Sequence, residues 1–272
     1  MRLIRFVGFW GLLGLLIAQV TAVDERDRAL VQQLDRVAAR LDGIAAQLVP
    51  APAPEPQPRA RPGQPDPDAV YAVPIAGAPY RGAGDALVTM VYGGEFACPY
   101  CARVRPVLDE LLGQYAGELK IVHEHYLVHE TLARPAARAA CAAQRQGRYF
   151  EMAARIWDEG FAERELGAGD MEALARALHL DLDAYRRDVA PGGPCDEIIA
   201  RDQANLRRVG QRGTPSFYIN GRFLSGARPI DAFVRLIDEE LAVARGRVAG
   251  DRSARASYYQ RWVLDRGLTA VE

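Results

Sequence analysis

The spacing of apolar positions changes along this chain, and each change marks a different kind of element. Phe6 to Val23 is an uncharged run of 18 residues, with Arg2 and Arg5 before it and Asp24-Glu25 after it. Such a run is either a signal peptide, with Val20-Thr21-Ala22 fitting cleavage after Ala22, or a signal anchor that just reaches spanning length. Either way the basic residues hold the N-terminus inside and send the remainder out of the cytoplasm. From 24 to 49, Leu30, Leu34, Val37, Leu41, Ile44 and Leu48 alternate spacings of four and three, with Asp and Arg at outer positions. That a/d seam predicts a short coiled-coil helix and homo-oligomerisation, with an amphipathic helix lying on the parent domain or the membrane as the alternative. Proline then alternates with other residues from Pro50 to Pro67, a composition that forms no core and predicts an extended spacer of roughly 50 Å.

Beyond the spacer, residues 68–272 read as one domain with ample length for a packed core. Ala86 to Tyr92 is an apolar run of strand length, Arg103 to Leu112 has helical period, and Glu118 to Leu127 reads as a second strand. The stretch from about 131 to 210 is helical by pattern. Its helices are expected near Ala136–Gln146, Tyr149–Asp158, Met171–Leu178, Leu182–Val189 and Cys195–Val209. A strand opens at Pro215, Asn220-Gly221 forms a hairpin turn into Arg222–Leu224, and a helix runs from Pro229 to about Ala244. The tail from Asp251 to Glu272 reads as a final helix.

The chemistry concentrates at Cys98-Pro99-Tyr100-Cys101, between the first strand and the helix that follows it. A helix N-terminus offers unpaired N–H groups and the positive end of a dipole, both of which favour a thiolate over a thiol. Pro99 suits the first helical position, where a missing N–H costs nothing. Cys98 is expected at the exposed start of the helix and Cys101 one turn inward, a spacing that lets the second sulfur attack a mixed disulfide formed on the first. The pair also reads as half a zinc site, but no second pair of similar spacing exists, so no metal is expected. Glu95 is expected to be an exposed loop charge. His123, His125 and His129 flank the second strand and receive no catalytic role.

With Gly213-Thr214-Pro215 and Asn220-Gly221 added to Asp85-Ala-Leu-Val-Thr89 and Cys98-Pro-Tyr-Cys101, residues 70–245 resemble the DsbA-like thiol–disulfide oxidoreductases of bacterial envelopes. The resemblance implies an α/β thioredoxin fold with a helical insertion. It also implies a cis bond between Thr214 and Pro215 lying against the CxxC pair, where the backbone of Thr214 can pair with an extended client segment. Cys98 and Cys101 would then be the catalytic pair, supported by Pro99, Tyr100, Thr214 and Pro215, with no cofactor. Tyr92 is a departure, since many relatives carry an acidic residue six positions before the first cysteine. Cys141 and Cys195 complete an even count of four, which in an exported chain favours a second, structural disulfide; two buried free cysteines are the alternative.

The formal net charge of −1 gives no sign of a nucleic-acid or polyanionic partner. Expected partners are unfolded or misoxidised envelope proteins and a membrane redox partner, either a quinone-linked oxidase or a membrane reductase. The location is periplasmic, tethered by residues 6–23 or released. Disulfide donor, isomerase and reductase all stay open, as does a chaperone or scaffold whose disulfide is incidental. The coiled coil leans toward isomerase, because envelope isomerases of this superfamily are oligomers with facing active sites.

Overall fold

The structure, a computed structural model, describes residues 30, 33, 37, 63–249, 251 and 254–271. The chain divides into two units, Met1–Gln57 and Pro58–Glu272. In the first, Leu30, Gln33 and Val37 are helical. The apolar run 6–23, the rest of the heptad stretch and the spacer up to 62 lie outside the described residues. Among the described residues, no helix is long and apolar enough to cross a membrane.

In the second unit, five strands form one sheet in the order β1-β3-β2-β4-β5. These are β1 (Tyr80–Gly82), β2 (Val88–Gly94), β3 (Leu119–His125), β4 (Ser216–Ile219) and β5 (Arg222–Ser225). β2 and β3 run parallel and every other pair is antiparallel. The parallel pair needs a crossover, and α1 (Pro99–Gln114) supplies it. β2 is buried along its whole length, which accounts for its largely apolar sequence, broken only by Thr89. Its alternate residues serve opposite faces: Val88, Met90 and Tyr92 enter the larger core, Val91 the smaller.

The helical insertion falls between β3 and β4 as α2 (Glu130–Arg145), α3 (Tyr149–Arg155), α4 (Ala168–Ala177), α5 (Leu182–Val189) and α6 (Pro194–Arg208). α3 continues into a π-helical turn, Ile156–Phe161. Seven alanines and Cys141 form the buried side of α2, small residues that let neighbouring helices approach closely. Cys141 and Cys195 are bonded, S–S 2.16 Å, tying α2 to α6 across 54 positions. Beside that bond, Asp196 accepts from Arg134 and Arg138, each at 2.8 Å, and from the Gly192 N–H. The last helix, α7 (Ile230–Arg247), packs Phe233 edge-on against Phe217 of β4.

The β4–β5 hairpin turns on Asn220 and Gly221, with φ +45° and +86°. The Asn220 side chain also extends the sheet, accepting from Thr89 N–H at 2.9 Å and donating to the Leu87 carbonyl at 3.1 Å.

Two segments differ from the sequence reading. β1 was not anticipated: all three of its residues are exposed, so no alternation marks it. The tail is not one helix. A π-helical turn, Gln260–Leu264, is followed by turns and a single β-bridge of Leu268 to Tyr71, Leu268 N–H donating to Val70 and Ala72 N–H to Leu268, both at 2.8 Å. Tyr259 and Val263 thereby cover a second core made with Tyr71, Val73, Leu206 and Tyr218. Residues 63–67, proline-rich by composition, are held against the domain, where Arg212 donates to the Gly63 carbonyl at 3.0 Å.

Candidate functional site

β2 ends at Gly94, and the chain then turns through Glu95-Phe96-Ala97 to Cys98, the N-cap of α1, with φ −89° and ψ +120°. The Cys98 carbonyl accepts the first helical bond, from Ala102 N–H at 3.1 Å, and Pro99 occupies the first helical position. No acidic residue stands in the first turn, so no carboxylate of the helix itself offsets its positive end. Cys101, Val104, Leu108 and Leu111 form the buried stripe of α1 and fix its rotation. Cys98 and Cys101 are both free thiols. Cys98 is 3% exposed rather than open to solvent, because a second loop covers it.

That loop carries Thr214 and Pro215, and the peptide bond between them is cis. Cys98 Sγ lies 3.4 Å from the Thr214 carbonyl, across 116 positions of sequence. As a thiol, Cys98 donates to that carbonyl. As a thiolate it accepts instead, first from the Cys101 thiol, then from the Thr214 hydroxyl and the N–H groups of Cys101 and Tyr100. These contacts outweigh partial burial and bring the Cys98 pKa down to about 5. Cys101 moves the other way, pushed up by burial and by its hydrogen bond to Cys98. The pair is therefore polarised, with one sulfur ionised at neutral pH and the other protonated. Tyr100 projects from the first turn of α1, 53% exposed.

Three features of the site were missed by sequence reasoning. The Tyr92 hydroxyl forms a hydrogen bond with Cys101. Its ring stacks on Phe217 at 5.3 Å between centroids and meets His123 edge-on at 5.2 Å. A Cβ on Gly94 would lie 2.3 Å from that hydroxyl, so Gly94 leaves the space the phenol occupies. Next, Glu95 is not an exposed charge. Its side chain is fully buried, accepting from the N–H groups of Val128 at 2.8 Å and His129 at 3.0 Å, and paired with His129 Nδ1. This carboxylate ties the loop before Cys98 to the chain leaving β3, and raises the His129 pKa. Finally, Gln211 bridges the ends of β2 and the Thr214 loop. The glycine pair that follows Tyr92 in a buried strand was a signal for the first; the other two have no local signal.

Behind α1 lies a cavity of about 240 Å³, lined by Tyr92, His123, Tyr149, Phe150, Trp157 and Arg105 among others. Burial lowers the His123 pKa to about 3, with Arg81 and His125 adding to the effect, so this ring is neutral in the folded protein.

Residues 76–239 match a family model described as Thioredoxin. A thioredoxin-like oxidoreductase from Silicibacter pomeroyi DSS-3 is 26% identical, with TM-score 0.51, covering 60% of this chain and 92% of that one. The alpha-DsbA1 protein of Wolbachia pipientis is 16% identical, with TM-score 0.56, covering 65% and 96%. Among curated proteins, the Na(+)/H(+) antiporter NhaA 3 of Salinispora tropica is 35% identical over 175 residues, 63% of this chain. The match takes in only 26% of the antiporter, so this chain corresponds to about a quarter of that relative's length.

Proposed function

The chain belongs to the thioredoxin family, with the fold of its DsbA-like members, and from that premise we propose that it is an exported protein thiol–disulfide oxidoreductase acting first as a disulfide donor. The observation that carries this reading is the Cys98 sulfur, held at a helix N-terminus 3.4 Å from the carbonyl of Thr214, with its pKa down to about 5. In the oxidised protein, a client thiolate attacks the Cys98 sulfur and the Cys98–Cys101 bond breaks. Cys101 leaves as a thiolate, hydrogen-bonded by Tyr92, and takes up a proton. A second client thiolate then attacks the client sulfur of the mixed disulfide and expels the Cys98 thiolate. Two electrons pass to the enzyme and one disulfide appears in the client. A thiolate that is stable at neutral pH is a good leaving group, and its stability makes the disulfide oxidising.

Thr214 and Pro215 orient an extended client segment beside the sulfurs, and exposed Tyr100 contacts it. Electrons return to a membrane partner, for which a quinone-linked oxidase is the matching class. The apolar run at 6–23 supplies export by anchor or cleaved signal.

The test is oxidation of a reduced, multi-cysteine protein by the full chain. With oxidised glutathione re-forming the Cys98–Cys101 disulfide after each transfer, native protein should drive it catalytically, and Cys98→Ser/Cys101→Ser should abolish it; undiminished activity in that double variant would refute the reading. A second reading, an oligomeric isomerase, is favoured by Leu30 and Val37, which are one heptad apart and 57% and 52% exposed.

A further inference from the structure

Gln211 belongs to none of the recognised motifs, yet it occupies the junction on which the sulfur site depends. It lies between α6 and β4 and is 1% exposed. The antiparallel ladder of β2 and β4 closes with Gly93 opposite Ser216. Beyond that pair the two chains separate, one toward Cys98 and the other toward Thr214. The Gln211 amide takes over where the ladder stops, with Nε2 donating to the Gly93 carbonyl and to the Gly213 carbonyl, both at 3.1 Å.

An amide nitrogen carries two hydrogens, and both are used here on carbonyls from opposite sides of the gap. Reversing the amide would set its oxygen against those two carbonyls, so the network fixes its orientation. Oε1 is buried and has no partner, a cost that a residue serving only as packing would not incur. Gly93 makes the bridge possible, since a Cβ there would fall 2.3 Å from Oε1 and 2.6 Å from Nε2. The backbone of Gln211 is itself clamped, its N–H donating to Leu206 at 3.0 Å and its carbonyl accepting from the Tyr126 hydroxyl at 2.6 Å. Ser216 Oγ adds a second donor to the Gly213 carbonyl at 3.0 Å.

We infer that Gln211 is a positioning residue for client recognition: its amide sets the separation between the Thr214–Pro215 segment and the CxxC loop, and so the fit of an extended peptide. This rests on the oxidoreductase reading given above. Small thiols need only the Cys98 sulfur, whereas a peptide must also lie along Thr214, so the two substrates respond differently.

The experiment compares the oxidised full chain with Gln211→Met, which keeps the length but loses both donors, and Gly93→Ala, which crowds the same amide. Each is assayed for oxidation of a dithiol peptide and of dithiothreitol, above the uncatalysed rate, with oxidised glutathione as the acceptor that re-forms the Cys98–Cys101 disulfide. In both variants KM for the peptide should rise about tenfold, the equivalent of one buried hydrogen bond, while kcat and the dithiothreitol rate stay within twofold. An unchanged peptide KM overturns the inference. So does parallel loss of both reactions in both variants, which would make Gln211 part of the scaffold alone. Native protein inactive on both substrates would instead refute the oxidoreductase reading beneath it.

Discussion

A thiol that ionises near pH 5 rather than 9 changes what the reduced protein is worth. Because the folded pKa of Cys98 lies below its unfolded value, ionisation stabilises the reduced form. That contribution is complete above the unfolded value, amounts to about 3 kcal/mol at pH 7, and vanishes as pH falls through about 5. Reduced protein should therefore resist urea better than oxidised protein at pH 7, with the difference shrinking toward pH 4. Alkylation of Cys98 by iodoacetamide, followed with absorbance at 240 nm, should reach half its plateau near pH 5; a midpoint above 8 would remove the basis for a donor. Tyr92 acts on the other sulfur. Tyr92→Phe keeps the stack on Phe217 and removes only the hydroxyl. The exchange step in which Cys101 attacks or leaves should slow by roughly ten- to a hundredfold, the value of a hydrogen bond to a charged group, with Cys98 alkylation unmoved. Quenched mixed-disulfide lifetimes would show it, and an unchanged lifetime would assign the hydroxyl to packing. The cysteine pair and Thr214-Pro215 were legible in the sequence because their signals are local: spacing at a helix start and a proline before a hairpin. The partners of Tyr92, Glu95 and Gln211 were not, since each is brought near only by the finished fold; Tyr92 stood out in the sequence only as a departure from the family pattern.

Elements with a strong period were likewise readable, and those lacking one were not. The five insertion helices have apolar faces at helical spacing, and the bounds of four lie close to the expected ones, whereas the first begins at Glu130, six residues before the alanine-rich stretch that marked it. β1 has no buried face, and the tail gains its order from pairing with residues 70–72, a contact no window of sequence contains. The insertion's own integrity rests on the α2–α6 junction. Replacing Cys141 and Cys195 together by Ala should cost about 3–4 kcal/mol in urea unfolding, from the closed loop of 54 positions. Asp196 adds an electrostatic lock at the same place. Arg138 and Arg134, with the Gly192 N–H, hold its carboxyl well below the usual carboxylate range. A depressed carboxyl stabilises the fold above its unfolded pKa, near 4, and the benefit is lost as pH falls through the lower folded value. Asp196→Asn should therefore cost about 2 kcal/mol at pH 7 and progressively less as pH falls below 4, and a loss that does not change with pH would mean the charge is irrelevant.

At the scale of the whole molecule, the open matter is how many active sites meet one client. A donor needs a single site, because each transfer ends when Cys98 is released. An isomerase must hold a misoxidised chain while its bonds are exchanged, and more than one site raises the effective concentration of thiolate around it. The heptad seam is where the two readings diverge. Leu30 and Val37 are helical with exposed side chains, positions that a second copy of the chain would cover under the oligomer reading. Charge on both positions would break such an association without touching the domain that carries the cysteines. Leu30→Glu/Val37→Glu in the full chain should reduce the mass found by sedimentation from an oligomer to a monomer. Oxidation of a reduced protein should stay within twofold, since in the proposed reaction the sulfur chemistry belongs to Cys98 and Cys101. Reactivation of a scrambled multi-disulfide protein should fall to the uncatalysed rate, because shuffling depends on sites acting together. Unchanged mass would dismiss the oligomer, and unchanged reactivation by a proven monomer would leave the seam with only the task of setting the enzyme's place.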